Sequence, residues 1–220
     1  MVLEGYRDRV RPYIDRLARP FLGWSPNRLS WLALLLAVAA ALTAAAVRWT
    51  TPLLFLPVSL LILGAGIFDV VDGAVARTTH RTSPRGDLLD HVLDRYADVV
   101  LVLGIVVSGF TIPVLGLLAL VSLLLTSYMG TQAQAVGQGR LYAGLLSRAD
   151  RLVVLALATF LEFDWSLPWP WAATRPWEHF HFAGVTFTVL DVAFVYFVVA
   201  GQWTAASRAI RTYRALDAPP

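Results

Sequence analysis

Asp69-Val70-Val71-Asp72-Gly73-Ala74-Val75-Ala76-Arg77 closes one long apolar segment, and eight residues later Gly86-Asp87-Leu88-Leu89-Asp90-His91-Val92-Leu93-Asp94 opens the next. Asp69 and Asp72 are three apart and Asp90 and Asp94 four apart, so on helices each pair shares one face. The connection from Thr78 to Arg85 is short enough to force the two helices into antiparallel contact. Both pairs then lie at the same depth and converge. A carboxylate within a membrane span costs about 2.5 to 3.5 kcal/mol on insertion scales and is functional by default. Two unit charges about 4 Å apart repel by roughly 4 kcal/mol at an effective dielectric of about 20, so four carboxylates together need protons or a cation. Oxygen ligands, with no histidine or cysteine at matching positions, point to Mg²⁺ or Mn²⁺. Aspartates solvated at helix ends would account for one or two of these residues, not for four at this spacing.

The rest of the chain supplies the membrane. Of its 220 residues 57% are hydrophobic and 15% charged, where a soluble domain carries about a quarter charged. A chain of this size has no core large enough to hide so much apolar surface, so lipid is its expected solvent. The absence of cysteine excludes disulfides and thiolate metal sites. Lysine is absent too, and the net charge of +3 gives no reason to expect a nucleic-acid partner. The first twenty or so residues are charged throughout, unlike a secretory signal, so the N-terminus is expected to be retained.

The fold expected is all-α and integral to the membrane, with six transmembrane helices in one domain spanning residues 1–220. Over residues 1–22, Val2, Leu3, Tyr6, Val10, Tyr13, Ile14 and Leu17 recur at helical spacing among charges. They predict an amphipathic helix lying in the membrane interface or docked on the protein's own face. Six apolar segments follow, about Leu29 to Val47, Pro52 to Ala76, Leu88 to Phe110, Ile112 to Ala135, Leu152 to Phe163 and Val185 to Ala206. A hydrocarbon core about 30 Å thick needs about 20 helical residues, so the fifth segment is short unless it begins back at Arg148. With both termini cytosolic, fifteen arginines fall on the cytosolic side and only Arg48 and Arg175 on the other, with Arg95 inside the third span. The excess of cationic residues in cytosolic loops supports this orientation in a cell membrane. Trp165, Trp169, Trp171 and Trp177 before the last span form the belt expected at headgroup level.

Small residues agree with a ligand near the aspartates. Gly73, inside a helix, costs about 1 kcal/mol relative to alanine. With Ala76 it leaves a groove for a ligand or for a neighbouring helix. Ser83-Pro84 restarts the helix, with Gly86 and Asp87 in or near a first turn whose N–H groups suit a phosphate.

The pattern Asp69-x2-Asp72-Gly73-x2-Ala76-Arg77-x8-Gly86-x3-Asp90-x3-Asp94 resembles the signature of the CDP-alcohol phosphotransferases, with every position filled. The resemblance covers residues 24–151, including Pro26-Asn27 before the first span and the arginines before the fifth. It implies a six-helix fold, often a homodimer, with a site open to the cytosolic leaflet. It also implies metal ligation by Asp69, Asp72 and Asp90, two divalent ions, Mg²⁺ or Mn²⁺, and a general base at Asp94, itself a possible metal contact. Asp69, Gly73, Ala76, Arg77 and Gly86 would border the cytidine diphosphate, with Asn27 beside them. The reaction implied moves a lipid phosphoryl group, diacyl or archaeol, from a CDP-linked lipid to the hydroxyl of a small polar alcohol, releasing CMP.

Arg140, Arg148 and Arg151 stand where they could grip an acidic acceptor such as inositol phosphate or glycerol phosphate, or serve only to orient the chain. Leu146-Ser147-Arg148-Ala149-Asp150-Arg151-Leu152 is similar to the corresponding stretch of phosphatidyl- and archaetidyl-inositol-phosphate synthases. Ser127-Tyr128-Met129-Gly130-Thr131-Gln132-Ala133-Gln134 departs from that branch, being neutral where a lysine and an arginine are expected. The stretch from Leu146 to Leu152 makes inositol phosphate the favoured acceptor, and the neutral stretch keeps glycerol phosphate or serine as alternatives. Arg95 is expected to pair with Asp98 or Asp191, and His80 and His91 to flank the site without ligating. An intramembrane prenyltransferase would place its aspartate motifs far apart over about nine spans, and an ion-coupled transporter would place carboxylates near the midplane. Here all four fall within 26 residues at one membrane face.

Overall fold

The computed structural model describes residues 7–139, 144–167, 180–182 and 184–216. Its helices are α1 (Arg7–Ala18), α2 (Pro26–Ala46), α3 (Phe55–Thr78), α4 (Pro84–Val107), α5 (Pro113–Ala135), α6 (Arg148–Ser166) and α7 (Val189–Leu216). Their starts follow from local chemistry. α2, α4 and α5 each begin on a proline, whose fixed φ suits the first helical turn and whose missing N–H is not needed there. Ser83 caps α4 by accepting from the Gly86 N–H at 3.1 Å. Ser147 and Asp150 form a reciprocal capping box on α6, which fixes its start at Arg148 and gives the fifth segment 19 residues.

The last segment departs from the expectation at both ends. Val185–Phe187 is not helical but pairs antiparallel with Phe180–Phe182 as a two-stranded hairpin, β1 and β2. α7 starts only after Thr188, which exchanges hydrogen bonds with Asp191: the Asp191 N–H donates to Thr188 Oγ1 (3.1 Å) and the Thr188 N–H to Asp191 Oδ2 (3.0 Å). It then runs ten residues past Ala206, because Ser207 to Leu216 contains neither glycine nor proline to stop it.

α2 is central: it packs on both α3 and α4, while α3 also meets α6, α5 pairs with α7, and α1 lies on α3. Phe55, Ile62, Leu101, Ile105, Phe194 and Phe197 are fully or almost fully enclosed in the shared core. Close approach relies on small residues. A Cβ added to Gly104 would lie 2.5 Å from the Ala41 carbonyl oxygen, so α4 touches the backbone of α2 there. α1 rests on a separate cluster of Ala18, Leu29, Val71, Ala74 and Val75, packed with Ile14 and Phe21, while Tyr13 stays exposed.

The helices from Pro26, Pro52, Pro113 and Val189 are long and apolar enough to cross a membrane. α4 and α6 carry more charge, but outward they present Val92, Leu103 and Val107, and Val153, Leu157 and Phe160. Such apolar exteriors around inward polar groups belong to an all-α, membrane-embedded bundle. The helix ends gather in two sets. At one, Asn27 approaches Gly86. At the other, Gly109 approaches Arg48, Ile112 donates to Asp191, and Leu190 donates to Glu162.

Candidate active site

Asp69 and Asp72 come from the last turns of α3, and Asp90 and Asp94 from the first turns of α4. The tight Thr79 to Ser83 connection, with His80 in the left-handed region at φ 52°, brings them together. Asp69, Asp72 and Asp90 each offer an oxygen, and these atoms all lie within 4.8 Å of one another. Asp90 and Asp94 with a ring nitrogen of His91 form a second group within the same distance, so Asp90 belongs to both. Asp72 and Asp94 are buried, whereas Asp69 and Asp90 are partly exposed in a cleft also lined by Ser30, Leu34, Leu93 and Arg148.

Arg148, at the first turn of α6, reaches into the cluster and forms ion pairs with both Asp69 and Asp94. A guanidinium standing among carboxylates marks where positive charge is stabilised. With the all-oxygen donor set of Asp69, Asp72 and Asp90, the residues present fit a divalent cation such as Mg²⁺ or Mn²⁺. One turn further along α6 and α4, buried Arg151 donates to Asp98 at 2.5 Å, with Arg95 3.3 Å from the same carboxylate. The expected pairing of Arg95 is thus with Asp98. Asp191 instead caps α7 and accepts from the Ile112 N–H at 2.7 Å.

The residues expected around a diphosphate form two neighbouring groups. The Arg77 guanidinium folds back over Gly73, 3.2 Å from where a Cβ would stand, and Ala76 is half-buried one turn after Asp72. Asn27 Oδ1 lies 3.7 Å from the Cβ position of Gly86, so the start of α2 meets the start of α4. His91 sits 3.4 Å from Asp87 and 4.0 Å from Asp90, and His80 is exposed. Arg140 lies outside the described residues, as do Trp169, Trp171, Arg175 and Trp177.

Two residues escaped the sequence reading. Ser30 of α2 donates to Asp72 Oδ2 at 2.5 Å. Its only signal was a hydroxyl one turn after Asn27 in an apolar span. Arg208, one of the fifteen arginines expected on the cytosolic side, is buried and donates to the Thr126 carbonyl of α5 at 2.6 Å. Its signal was equally faint, an i,i+4 phase with the buried Thr204.

Known proteins resemble this chain in sequence and in fold. Archaetidylinositol phosphate synthase of Methanothermobacter thermautotrophicus is 32% identical over 167 residues, covering 74% of this chain and 82% of that protein. Phosphatidylinositol phosphate synthase of Mycobacterium tuberculosis, solved with CDP-DAG bound, superposes with a TM-score of 0.69 at 22% identity, over 94% of this chain and 98% of that one. Its form in complex with manganese and citrate gives 0.70 at 23% identity, over 94% and 93%. The family model described as CDP-alcohol phosphatidyltransferase matches residues 24–199. That match takes in all four aspartates and most of the bundle around them, and the chain belongs to the CDP-alcohol phosphatidyltransferase family of transferases.

Proposed function

We propose that this protein makes a phosphodiester lipid by moving the lipid-linked phosphoryl group of a CDP-lipid onto a hydroxyl of inositol phosphate, releasing CMP. The observation that carries the reading is the convergence of Asp69, Asp72, Asp90 and Asp94 at one end of the bundle, in a chain of this family. The relatives named as inositol phosphate lipid synthases support the acceptor.

Asp69, Asp72 and Asp90 would hold the cation, with Asp94 completing a two-ion set of Mg²⁺ or Mn²⁺. When bound, the metal neutralises diphosphate charge and activates the phosphorus toward attack. Asn27, Gly73, Ala76, Arg77 and Gly86 would border the cytidine diphosphate, with Asp69 at its phosphates. Asp94 takes the proton of the acceptor hydroxyl as that oxygen attacks the phosphorus bearing the lipid. The bond from that phosphorus to CMP breaks, and CMP leaves with the electron pair. Arg148, paired here with Asp69 and Asp94, would exchange those carboxylates for the acceptor's phosphate oxygens. Arg151 would act behind it, through Asp98.

We place all six long helices, α2 to α7, across the membrane in one domain, with α1 at the interface and both termini and the site cytoplasmic. The outward apolar faces of α4 and α6 and the gathering of arginines at the site end support this. Pairing of two chains is carried by the family resemblance, and crosslinking in native membranes reads it out. A second reading, serine as a neutral acceptor, rests on the end of α5, where Ser127 to Gln134 carries no cation for an acceptor's phosphate.

The test is CMP release by the purified protein from a CDP-lipid, given inositol phosphate, glycerol phosphate or serine in turn. Inositol phosphate is expected to give the fastest release. Release with serine alone would move the assignment to a neutral acceptor, and none with any alcohol would remove the reading.

A further inference from the structure

We infer that Ser30 is a positioning residue, whose hydroxyl fixes one oxygen of Asp72 so that the other is presented to the cation site. This rests on the metal-ligand role proposed above for Asp72. Serines and threonines inside apolar helices usually return their proton to the carbonyl four residues back. Thr43 and Ser122 do so here, at 2.8 Å each. Ser30 has the same option in the Pro26 carbonyl but stands 3.3 Å from it, against 2.5 Å from Asp72 Oδ2. A hydroxyl has one proton, and the shorter contact lies in the range of bonds to an ionised oxygen.

The bond joins residues 42 positions apart, from α2 to α3, and both side chains are buried, at 8% and 5% exposure. With Oδ2 engaged, Asp72 has one oxygen left for Asp69 and Asp90 to share a cation with. Mg²⁺ accepts little distortion from octahedral geometry, so a carboxylate fixed in rotation is worth more to it than a loose one. Hydrogen bonds that orient a ligand typically change metal affinity by about 10- to 100-fold when removed. α2 also sets Asn27 beside Gly86 one turn earlier, so its first turns touch both halves of the aspartate motif.

The experiment is Mn²⁺ binding to the purified protein without CDP-lipid, followed by electron paramagnetic resonance, alongside thermal unfolding in detergent. Ser30→Ala is expected to bind Mn²⁺ roughly tenfold more weakly. Ser30→Thr is expected to restore the wild-type affinity. Should the alanine variant fold poorly, Ser30→Cys, with its weak donor, is expected to show the same weakening. Ser59→Ala is the control, since that buried hydroxyl crosses from α3 to the Ala156 carbonyl at 2.8 Å. It should lower thermal stability and leave Mn²⁺ affinity unchanged. A Ser30→Ala protein that loses stability as Ser59→Ala does, yet binds Mn²⁺ like wild type, overturns the inference. Wild-type protein that takes up no Mn²⁺ overturns the metal reading itself, and the role of Ser30 with it.

Discussion

Asp69 and Asp94 share one guanidinium, yet removing the charge of each should have different consequences. Asp94→Asn keeps shape and keeps an acceptor oxygen for Arg148 but cannot take a proton from the acceptor. CMP formation should fall by at least the roughly 10²- to 10⁴-fold that a positioned base contributes, with the melting temperature nearly unchanged. Full turnover in that variant would remove Asp94 as the base. Asp69→Asn should weaken activity and raise the Mg²⁺ or Mn²⁺ concentration needed for half-maximal rate. An unchanged metal titration would count against ligation. These residues were legible because helical spacing alone decides which side chains share a face, and the short connection decides which faces meet. Ser30 was not, because its partner is distant in sequence and nothing local distinguishes it from a serine bonded to its own helix. Arg148 was legible as a cation near the site but not as one lodged between two of the four aspartates.

At the scale of the helix, the contact between α4 and α2 tests how the site is held. Gly104 lies about three turns beyond Asp94, where the two backbones approach too closely for any side chain. Gly104→Val would force its Cβ onto Ala41, whose backbone cannot swing aside. The expected loss is about 1 to 3 kcal/mol or more, read by thermal unfolding in detergent, with metal affinity falling as the two helices separate. Gly23→Ala, where an added Cβ meets nothing within 4 Å, is the matched substitution expected to leave stability unchanged. Equal stability of both variants would mean that α2 and α4 do not need this contact. Helix starts were readable because proline, serine and aspartate announce them. The hairpin before α7 was not, since Val185–Phe187 runs into the apolar span without a break in hydropathy, and only the Thr188 and Asp191 cap separates them. The end of α7 was missed for the opposite reason: its polar residues are good helix formers, so loss of hydropathy did not end the helix.

Across the whole molecule, the two sets of helix ends differ in charge, and that difference makes the membrane orientation testable. Arg77, Arg81, Arg85, Arg148, Arg151 and Arg208 gather with the aspartates toward one end, against Arg48 at the other among the described residues. Cationic residues are retained on the cytosolic side during insertion, so the site end should face the cytosol, where CMP is released and polar acceptors arrive. The absence of cysteine makes the readout clean, because a single introduced thiol is the only one present. Thr82 lies exposed in the turn between α3 and α4, and Thr50 lies exposed between α2 and α3 at the opposite end. In intact cells a membrane-impermeant maleimide should label the Thr50→Cys variant and spare Thr82→Cys, which should react only after the membrane is opened. Labelling of both from outside would mean that α3 does not cross. The reverse pattern would put the carboxylate cluster on the outer face, away from the cytosolic acceptors, and would overturn the orientation while leaving the fold intact.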